Sequence, residues 1–184
     1  MALKATLFKV ELQVSDLDRN YYQTHSLTLA RHPSETDERM MVRLLAFALN
    51  ASEHLQFTKG LSTEAEPDLW QKNLHGEIEL WIEVGVPDEK RIRKGSNRSE
   101  QVIIYAYGAR TAPLWWQNIR TDLIRFDNLT ICYLSPEDTA ALAGLTNRNM
   151  ALQATLQDGV IWIGNSDRTL TITPEYWQCP PLRD

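Results

Sequence analysis

The sequence contains 184 residues, of which 43% are apolar and 23% charged, and its formal net charge is -5. These proportions are close to those of average globular domains, and they exclude a chain that is disordered throughout. The acidic balance argues against a protein that binds nucleic acid tightly and nonspecifically, because such proteins are usually basic, but it leaves room for a local basic site.

The length favours a single domain over residues 1–184. No apolar run approaches the roughly 18 residues of a membrane span. Residues 1–10 alternate instead of forming the continuous apolar stretch of a secretory signal. The two cysteines, Cys132 and Cys179, are too few for a disulfide scaffold and have no partner at metal-ligand spacing. We expect a cytoplasmic monomer without membrane association.

The chain begins with the pattern of a β-hairpin. Residues 3–14 alternate between apolar and polar side chains, which is typical of a half-buried strand. Asp16, Asp18 and Asn20 are turn residues, and residues 21–30 favour a second strand. The pattern predicts two antiparallel strands joined by a short turn.

A helix is expected next. Ser34 is the predicted N-cap, acidic residues occupy the first turns, and apolar residues recur at helical spacing to about Asn50. Glu38 lies at the N-terminal end of the apolar stripe, where a carboxylate needs a partner because an unpaired buried charge is costly. Two interpretations remain open. Glu38 pairs with Arg91 or Arg93, or it contributes to the acidic site described below.

The remaining elements predict an α/β fold with a mixed β-sheet flanked by helices, because both hairpin and crossover connections occur. Among the strands, EIELWIEVG has the clearest alternation. Strands are predicted over 77–85, 101–107, 129–134, 150–156, 160–163 and 170–173, and helices over 87–98, 113–123 and from about residue 135.

Two carboxylates stand out for their chemistry. Asp68 follows a proline, and Glu83 lies fifteen residues later in the EIELWIEVG strand. On adjacent strands, two carboxylates can share a hard divalent cation, since Mg²⁺ prefers oxygen ligands. The cation can polarise a phosphoryl group and activate a water, and a nearby lysine would stabilise the developing negative charge.

The order Pro67-Asp68 … Glu83, preceded by a helix with Glu38, resembles the PD-(D/E)XK nuclease superfamily. The whole chain is more closely similar to the bacterial YaeQ family, through the stretches SLTLARHPSETDERMMVRLLAFAL, PDLW, GEIELWIEVGVPDEKRIRKGS and LQATLQDGVIWI. The resemblance implies a restriction-endonuclease-like core of helix, three strands, helix and strand, with extra N- and C-terminal strands. It also implies a Mg²⁺-dependent, nuclease-like phosphodiesterase in which Asp68 and Glu83 hold the metal.

The superfamily pattern places a lysine two residues after the glutamate, but Gly85 occupies that position. Some members carry the lysine on the following helix. In this chain that segment supplies Lys90, Arg91, Arg93 and Lys94. We select Lys94 and expect its ammonium to lie within hydrogen-bonding reach of Glu83 or Asp68. The predicted catalytic set is therefore Glu38, Asp68, Glu83 and Lys94.

A second function fits the same residues. A catalytically degenerate nuclease-fold protein would keep the acidic pair for structure and act as a binding or regulatory module, with a nucleic acid or another protein as its partner. The arrangement of the site distinguishes the two functions. A solvent-open cleft at Asp68, Glu83 and Lys94 with room for a metal favours the enzyme, whereas a site filled by a bridge between a lysine and a carboxylate favours the binding module.

Overall fold

In a computed structural model, which describes residues 3–59 and 64–182, the chain forms two compact units. The first unit contains the described residues up to Ala51 and returns with Glu137–Pro174. The second unit contains the described residues of Ser52–Pro136 and those from Glu175 onward. Each unit is therefore built from two separate stretches of the chain. The expectation of one domain over residues 1–184 stays a prediction.

Eleven strands and four helices occur in the described residues. In chain order they are β1 (Thr6–Asp16), β2 (Tyr21–Arg31), α1 (Asp37–Leu49), β3 (Leu55–Phe57), β4 (Leu69–Lys72), β5 (Ile78–Val84), α2 (Glu89–Arg98), β6 (Ser99–Tyr107), α3 (Thr111–Leu123), β7 (Leu129–Leu134), α4 (Pro136–Ala143), β8 (Asn149–Gln157), β9 (Val160–Gly164), β10 (Thr169–Ile172) and β11 (Glu175–Gln178). None of these helices is long and apolar enough to cross a membrane.

The first unit is built on a five-stranded mixed sheet in the order β10-β9-β8-β1-β2. Only β1 and β8 run parallel, and the other neighbours are antiparallel. The alternation of β1 buries one row of side chains, namely Phe8, Val10, Leu12 and Val14, as the sequence predicts. The opposite face of β1 is exposed to solvent.

The N-cap of helix α1 is Thr36, not Ser34 as predicted. The Thr36 hydroxyl accepts a hydrogen bond from the backbone N–H of Arg39 at 3.1 Å, which makes Thr36 the N-cap. Ser34 lies before the helix and pairs with the His32 ring at 2.6 Å. Residues 40–48 are all buried, so the helix is covered on every side instead of along one stripe only.

A buried ion pair fixes the entry into α1. Both carboxylate oxygens of Glu35 accept hydrogen bonds from the Arg43 guanidinium, at 2.7 and 2.8 Å. Arg39 donates a third bond to Glu35 at 3.0 Å, and Arg43 also donates to the carbonyl of Ala30 in β2 at 3.1 Å. The helix is thus tied to the segment before it and to the neighbouring strand.

The second unit is built on a six-stranded mixed sheet in the order β11-β7-β6-β5-β4-β3. The three central strands, β5, β6 and β7, are parallel, and α2 and α3 form the two crossover connections between them. Strands β3, β4 and β11 are antiparallel to their neighbours. The core lies around the fully buried Trp81 of β5.

The observed fold class is mixed α/β, with two mixed sheets and four helices in the described residues. The sequence predicts a single mixed sheet, and this part of the expectation is wrong. The pattern of apolar and polar residues does not indicate the short strands β3, β4 and β11. Of these, β3 and β4 extend the sheet of the second unit beyond β5. The hairpin of β1 and β2 and the strands β5 to β9 lie close to their predicted positions.

Candidate functional site

Asp68 and Glu83 are brought together by the antiparallel pair β4 and β5. Asp68 lies immediately before β4, and its backbone N–H donates to the carbonyl of Ile82 in β5 at 3.0 Å. One of its carboxylate oxygens accepts a hydrogen bond from the backbone N–H of Val84 at 2.8 Å. The two residues are only 2% and 3% exposed, respectively. The two carboxylates are therefore both buried, Glu83 within β5 and Asp68 at the residue before the neighbouring β4.

The basic side chain that pairs with the Glu83 carboxylate is Arg91 of α2. The Arg91 Nε lies 2.9 Å from both carboxylate oxygens of Glu83. The indole N–H of Trp81, two residues earlier on the same face of β5, donates to Glu83 at 3.0 Å. The Trp81 ring packs against the backbone of α2 at Gly95, where an added Cβ would lie 2.8 Å from the indole nitrogen. Close helix packing therefore helps to hold the indole against the carboxylate.

The burial of Glu83 changes its electrostatics. The pKa of Glu83 is raised from 4.5 to about 7, chiefly by burial and additionally by the charge of Asp68. The hydrogen bonds and the charge of Arg91, together with the bond from Trp81, lower the pKa but do not offset the burial. Glu83 therefore binds a proton more readily than an exposed glutamate does, although an arginine lies beside it.

The expected contact of Lys94 with Glu83 or Asp68 is wrong. The Lys94 ammonium donates instead to the backbone carbonyl of Glu64 at 3.0 Å. Arg91 and Lys94 both extend from α2, three residues apart, and it is the guanidinium of Arg91 that reaches the carboxylate. The sequence places the two residues on one face of α2, but it does not indicate that Arg91 is the one that reaches the carboxylate.

Three basic side chains of α2 hold the segment 64–66. Arg91 donates to the carbonyl of Glu66 at 2.8 Å, Lys94 to that of Glu64 at 3.0 Å, and Arg98 to that of Ala65 at 3.0 Å. These bonds join α2 to the segment that leads into Asp68. The basic face of α2 thus positions one side of the acidic pair through neutral backbone oxygens.

Gly85 stands where the superfamily pattern has its lysine, and the space beside it is empty of protein atoms. Gly85 has a φ of 104°, and a Cβ built there would meet no atom within 4 Å. Its backbone N–H donates to the carbonyl of Tyr105 in β6 at 2.9 Å, so the chain still follows the sheet. Beside the beginning of α2 lies a cavity of about 200 Å³, lined by Glu64, Asp88, Lys90, Arg91 and Lys94.

Glu38 belongs to the first unit, whereas Asp68, Glu83 and Lys94 belong to the second. It lies in the first turn of α1, is half-buried, and its carboxylate is 3.4 Å from the hydroxyl of the buried Thr139 in α4. The prediction that Glu38 pairs with Arg91 or Arg93 is not confirmed, because both arginines have other partners. Arg91 pairs with Glu83, and Arg93 lies 3.9 Å from Glu89 on its own helix. A catalytic role for Glu38 stays a prediction.

The donor atoms of the acidic pair do not fit a bound Mg²⁺ in this arrangement. Both carboxylate oxygens of Glu83 face the Arg91 guanidinium, and one oxygen of Asp68 is taken by the N–H of Val84. Mg²⁺ requires near-octahedral oxygen ligands. In the part of the chain that the structure describes, no three His, Cys, Asp or Glu side chains are grouped so that they could hold a metal ion.

The fold and the site together define a mixed α/β protein in which a buried carboxylate pair is closed by an arginine from a basic crossover helix. A family model described as "YaeQ protein" matches residues 1–174. The chain belongs to the YaeQ family, as its sequence leads us to expect.

Similar proteins match over nearly the whole chain. "Uncharacterized protein YaeQ" of Escherichia coli (strain K12) is 48% identical over 180 residues, which cover 98% of this chain and 99% of the relative. The protein of the same description from Salmonella typhi is 49% identical with the same coverage. The crystal structure of YaeQ protein from Xanthomonas axonopodis pv. citri has a TM-score of 0.92 at 46% identity, covering 96% of this chain and 99% of that chain. The structure from Pseudomonas syringae has a TM-score of 0.91 at 34% identity, covering 95% and 97%.

Proposed function

We propose that this chain is a nuclease-fold protein that binds the phosphate backbone of a nucleic acid through α2 without hydrolysing it, and that it does so in the cytoplasm. The ion pair between Glu83 and Arg91 carries the proposal. The guanidinium lies against both carboxylate oxygens, which a metal-dependent nuclease needs for its cation. The bridge is made by an arginine and not by the expected lysine, but it fills the site in the same way and so favours the binding module over the enzyme.

The order of elements supports a relation to the PD-(D/E)XK superfamily. From α1 onward the chain runs α1, β3, β4, β5, α2 and β6, which is the sequence of helix, three strands, helix and strand. Strands β1 and β2 precede this series, and β8 to β11 come near the end of the chain. Asp68 precedes β4, Glu83 lies on the neighbouring β5, and the basic helix follows β5. This chain order supports the relation, although Gly85 stands where the superfamily motif has its lysine.

The charges of α2 support a phosphate-bearing ligand. The helix carries five Lys or Arg residues among its ten. Lys90 is exposed and lines the cavity beside Arg91 and Lys94. Arg91 and Lys94 bind neutral carbonyls of the segment 64–66, and a guanidinium or an ammonium has further N–H donors to offer. A phosphate placed in the cavity would meet three positive side chains, although Asp88 and Glu64 also line it.

The test measures binding of fluorescein-labelled single- and double-stranded DNA and RNA oligonucleotides by anisotropy between 50 and 200 mM salt. The double variant Lys90→Ala, Lys94→Ala is compared with Lys4→Ala, Lys9→Ala, which removes the same charge from the first unit. If α2 binds phosphates, the first variant flattens the slope of log Kd against log salt by about 1.4 for single strands and about 1.8 for duplexes. The control variant keeps the wild-type slope. Equal slopes in both variants, or no binding at 50 mM salt, would refute the proposal.

A second candidate is the Mg²⁺-dependent phosphodiesterase, with Asp68 and Glu83 as ligands and with Lys94 and Glu38 as the further catalytic residues. One observation favours it. The pKa of Glu83 is raised to about 7 because burial and the charge of Asp68 exceed what Arg91 supplies, so this site would gain from additional positive charge. A divalent cation could supply that charge if Arg91 moved away.

Calorimetric titration with Mn²⁺ separates the two candidates. The enzyme requires wild-type heat that disappears in Glu83→Ala and a tighter association in Arg91→Ala, because the competing guanidinium is gone. Arg93→Ala is the matched control, since Arg93 is an exposed arginine on the same helix. The enzyme further requires cleavage of plasmid DNA or RNA that needs Mg²⁺ or Mn²⁺ and is lost in Asp68→Asn. If Mn²⁺ binds none of these proteins, the binding module is favoured.

A further inference from the structure

Strand β2 is the outer strand of the sheet in the first unit, and it is unusually long and regular for an edge. It spans eleven residues, Tyr21–Arg31, and among the strands of the described residues it pairs with β1 alone. The register runs without a bulge from Thr6 opposite Arg31 to Asp16 opposite Tyr21. Most edge strands in natural proteins are short or interrupted, since an open edge can pair with another chain.

The direction of the backbone groups of β2 follows from two hydrogen bonds. The N–H of Lys9 donates to the carbonyl of Arg148, just before β8. The odd-numbered residues of β1 therefore direct their backbone N–H and C=O groups toward β8, and the even-numbered residues direct theirs toward β2. Because even residues of β1 stand opposite odd residues of β2, the even residues of β2 direct their N–H and C=O groups outward. The bond from Arg43 to the carbonyl of Ala30 comes from this outer side and agrees with the assignment.

Four successive outward positions, Tyr22, Thr24, Ser26 and Thr28, are exposed. Within residues 3–59 and 64–182, no hydrogen bond reaches their outward backbone groups. The usual protections of an edge are also missing between residues 21 and 30, since this stretch contains neither proline, lysine nor a carboxylate. The strand therefore offers a continuous row of donors and acceptors.

The edge is complementary to itself. If two copies of β2 run antiparallel about a two-fold axis at Ser26, then Ser26 meets Ser26, Thr24 meets Thr28, and Tyr22 meets Ala30 of the second copy. All of these are outward positions, so they fall at hydrogen-bonded pairs of the new ladder, and in the part of the chain that the structure describes only the Ala30 carbonyl among them already accepts a bond, from Arg43. The side chains that face one another are neutral, which avoids the repulsion of like charges directly opposite. A two-fold interface requires such self-complementarity.

We propose that β2 pairs with β2 of a second copy of this chain about an axis at Ser26, which joins two five-stranded sheets into one of ten strands. The proposal goes beyond the proposed function, because it concerns the first unit and does not involve α2. An extended segment of another protein could add to the same edge. The second copy is favoured because its edge carries the matching register.

The first test is the molar mass in solution as a function of protein concentration, measured by sedimentation equilibrium. Wild type is expected to dimerise reversibly. Ser26→Lys places two ammonium groups opposite each other at the axis and should raise the dimer dissociation constant by about tenfold or more. Gln13→Lys is the matched control, because Gln13 is exposed on β1 at the same face and adds the same charge one strand away from the edge. The control is expected to dimerise like wild type.

The second test is a crosslink. Residues at a hydrogen-bonded antiparallel pair have Cα atoms about 5.5 Å apart, within the range of a disulfide. In a Cys179→Ser background, Ser26→Cys should form a covalent dimer with oxidised glutathione, whereas Gln13→Cys should not. A wild-type chain that stays monomeric up to about 1 mM overturns the proposal. So does a dimer that Ser26→Lys leaves unchanged, or a monomer that binds a foreign extended peptide along β2.

Discussion

Replacing Glu83 by glutamine should change how the stability of the protein depends on pH. The pKa of Glu83 is about 7 in the folded chain and near its ordinary 4.5 in the unfolded chain, chiefly because the folded carboxyl is buried. Between these two values the folded state binds more protons than the unfolded state. The free energy of unfolding therefore falls as the pH rises through this window.

The expected size follows from the two pKa values. Their difference corresponds to about 3 kcal/mol once Glu83 is fully charged, at about 1.4 kcal/mol for each pKa unit. Because Glu83 is only 3% exposed, screening by solvent does little to reduce this figure. Glutamine keeps nearly the same shape but carries no charge at any pH. The variant should thus gain stability relative to wild type by up to about 3 kcal/mol between pH 4.5 and pH 8.

The measurement is urea unfolding of wild type and Glu83→Gln at half-unit steps of pH, with the difference in free energy plotted against pH. Glu79→Gln removes a carboxylate from the same strand but leaves Glu83 in place, so it should retain the slope that Glu83 produces. A difference between wild type and Glu83→Gln that is constant from pH 4.5 to 8 would show that Glu83 is charged throughout. The account of the site as an incompletely compensated carboxylate would then be wrong.

Three further substitutions test the packing by urea unfolding. Arg43→Ala should lower the free energy of unfolding by about 3 to 5 kcal/mol, because it leaves the buried Glu35 carboxylate without its main partner. Gly95→Ala should lower it by about 1 to 3 kcal/mol, since the added methyl group lies 2.8 Å from the indole nitrogen of Trp81, and the tryptophan fluorescence should change with it. Thr36→Ala should cost about 1 kcal/mol through loss of the α1 N-cap.

Each of these substitutions has a matched control in or next to the same helix. Arg39→Ala leaves the two bonds from Arg43 to Glu35 in place and should cost less than Arg43→Ala, since the Arg39 side chain is more exposed than that of Arg43. Asn97→Ala changes an exposed position of α2 and should leave both the stability and the fluorescence almost unchanged. Ser34→Ala lies ahead of α1 and should cost less than Thr36→Ala. If a variant is no less stable than its control, the contact assigned to it is not formed.

The long elements of the fold could be predicted because their periodicity extends over many residues. Strand β1 alternates over its whole length, and β5 and β7 are bounded by clear turn residues. Strands β3 and β4 have three and four residues, respectively, which is too short for a period to be recognised. These strands form because they pair with neighbouring strands, and that pairing cannot be recognised from the local sequence.

The start of α1 illustrates a choice that local propensity leaves open. Ser34 and Thr36 are both good N-cap residues. With Thr36 at the cap, Glu35 stays outside the helix, and its carboxylate bonds Arg43 eight residues further along. A long-range ion pair therefore accompanies a start two residues later than the one predicted.

The acidic pair could be located from the sequence, but its partner could not. The resemblance to a known motif indicated Asp68 and Glu83, and the antiparallel pairing of β4 and β5 brings them together. Arg91 and Lys94 lie on one face of α2, so spacing alone does not decide which of them reaches the carboxylate. The carbonyls of the segment 64–66 engage Lys94, and those contacts depend on the tertiary arrangement of the second unit.

The interleaved connectivity of the two sheets has a consequence for synthesis on the ribosome. Strand β1 has β8 as one of its two neighbours, and β8 begins at Asn149. At about 5–20 residues per second, the hairpin of β1 and β2 waits on the order of ten seconds before this neighbour is translated. During that interval both edges of the nascent hairpin are open, and β7 in the other sheet likewise awaits β11. A ribosome that pauses between β2 and β8 would lengthen the time for which these strand edges are open. Nascent chains arrested in this stretch should therefore depend most on chaperones.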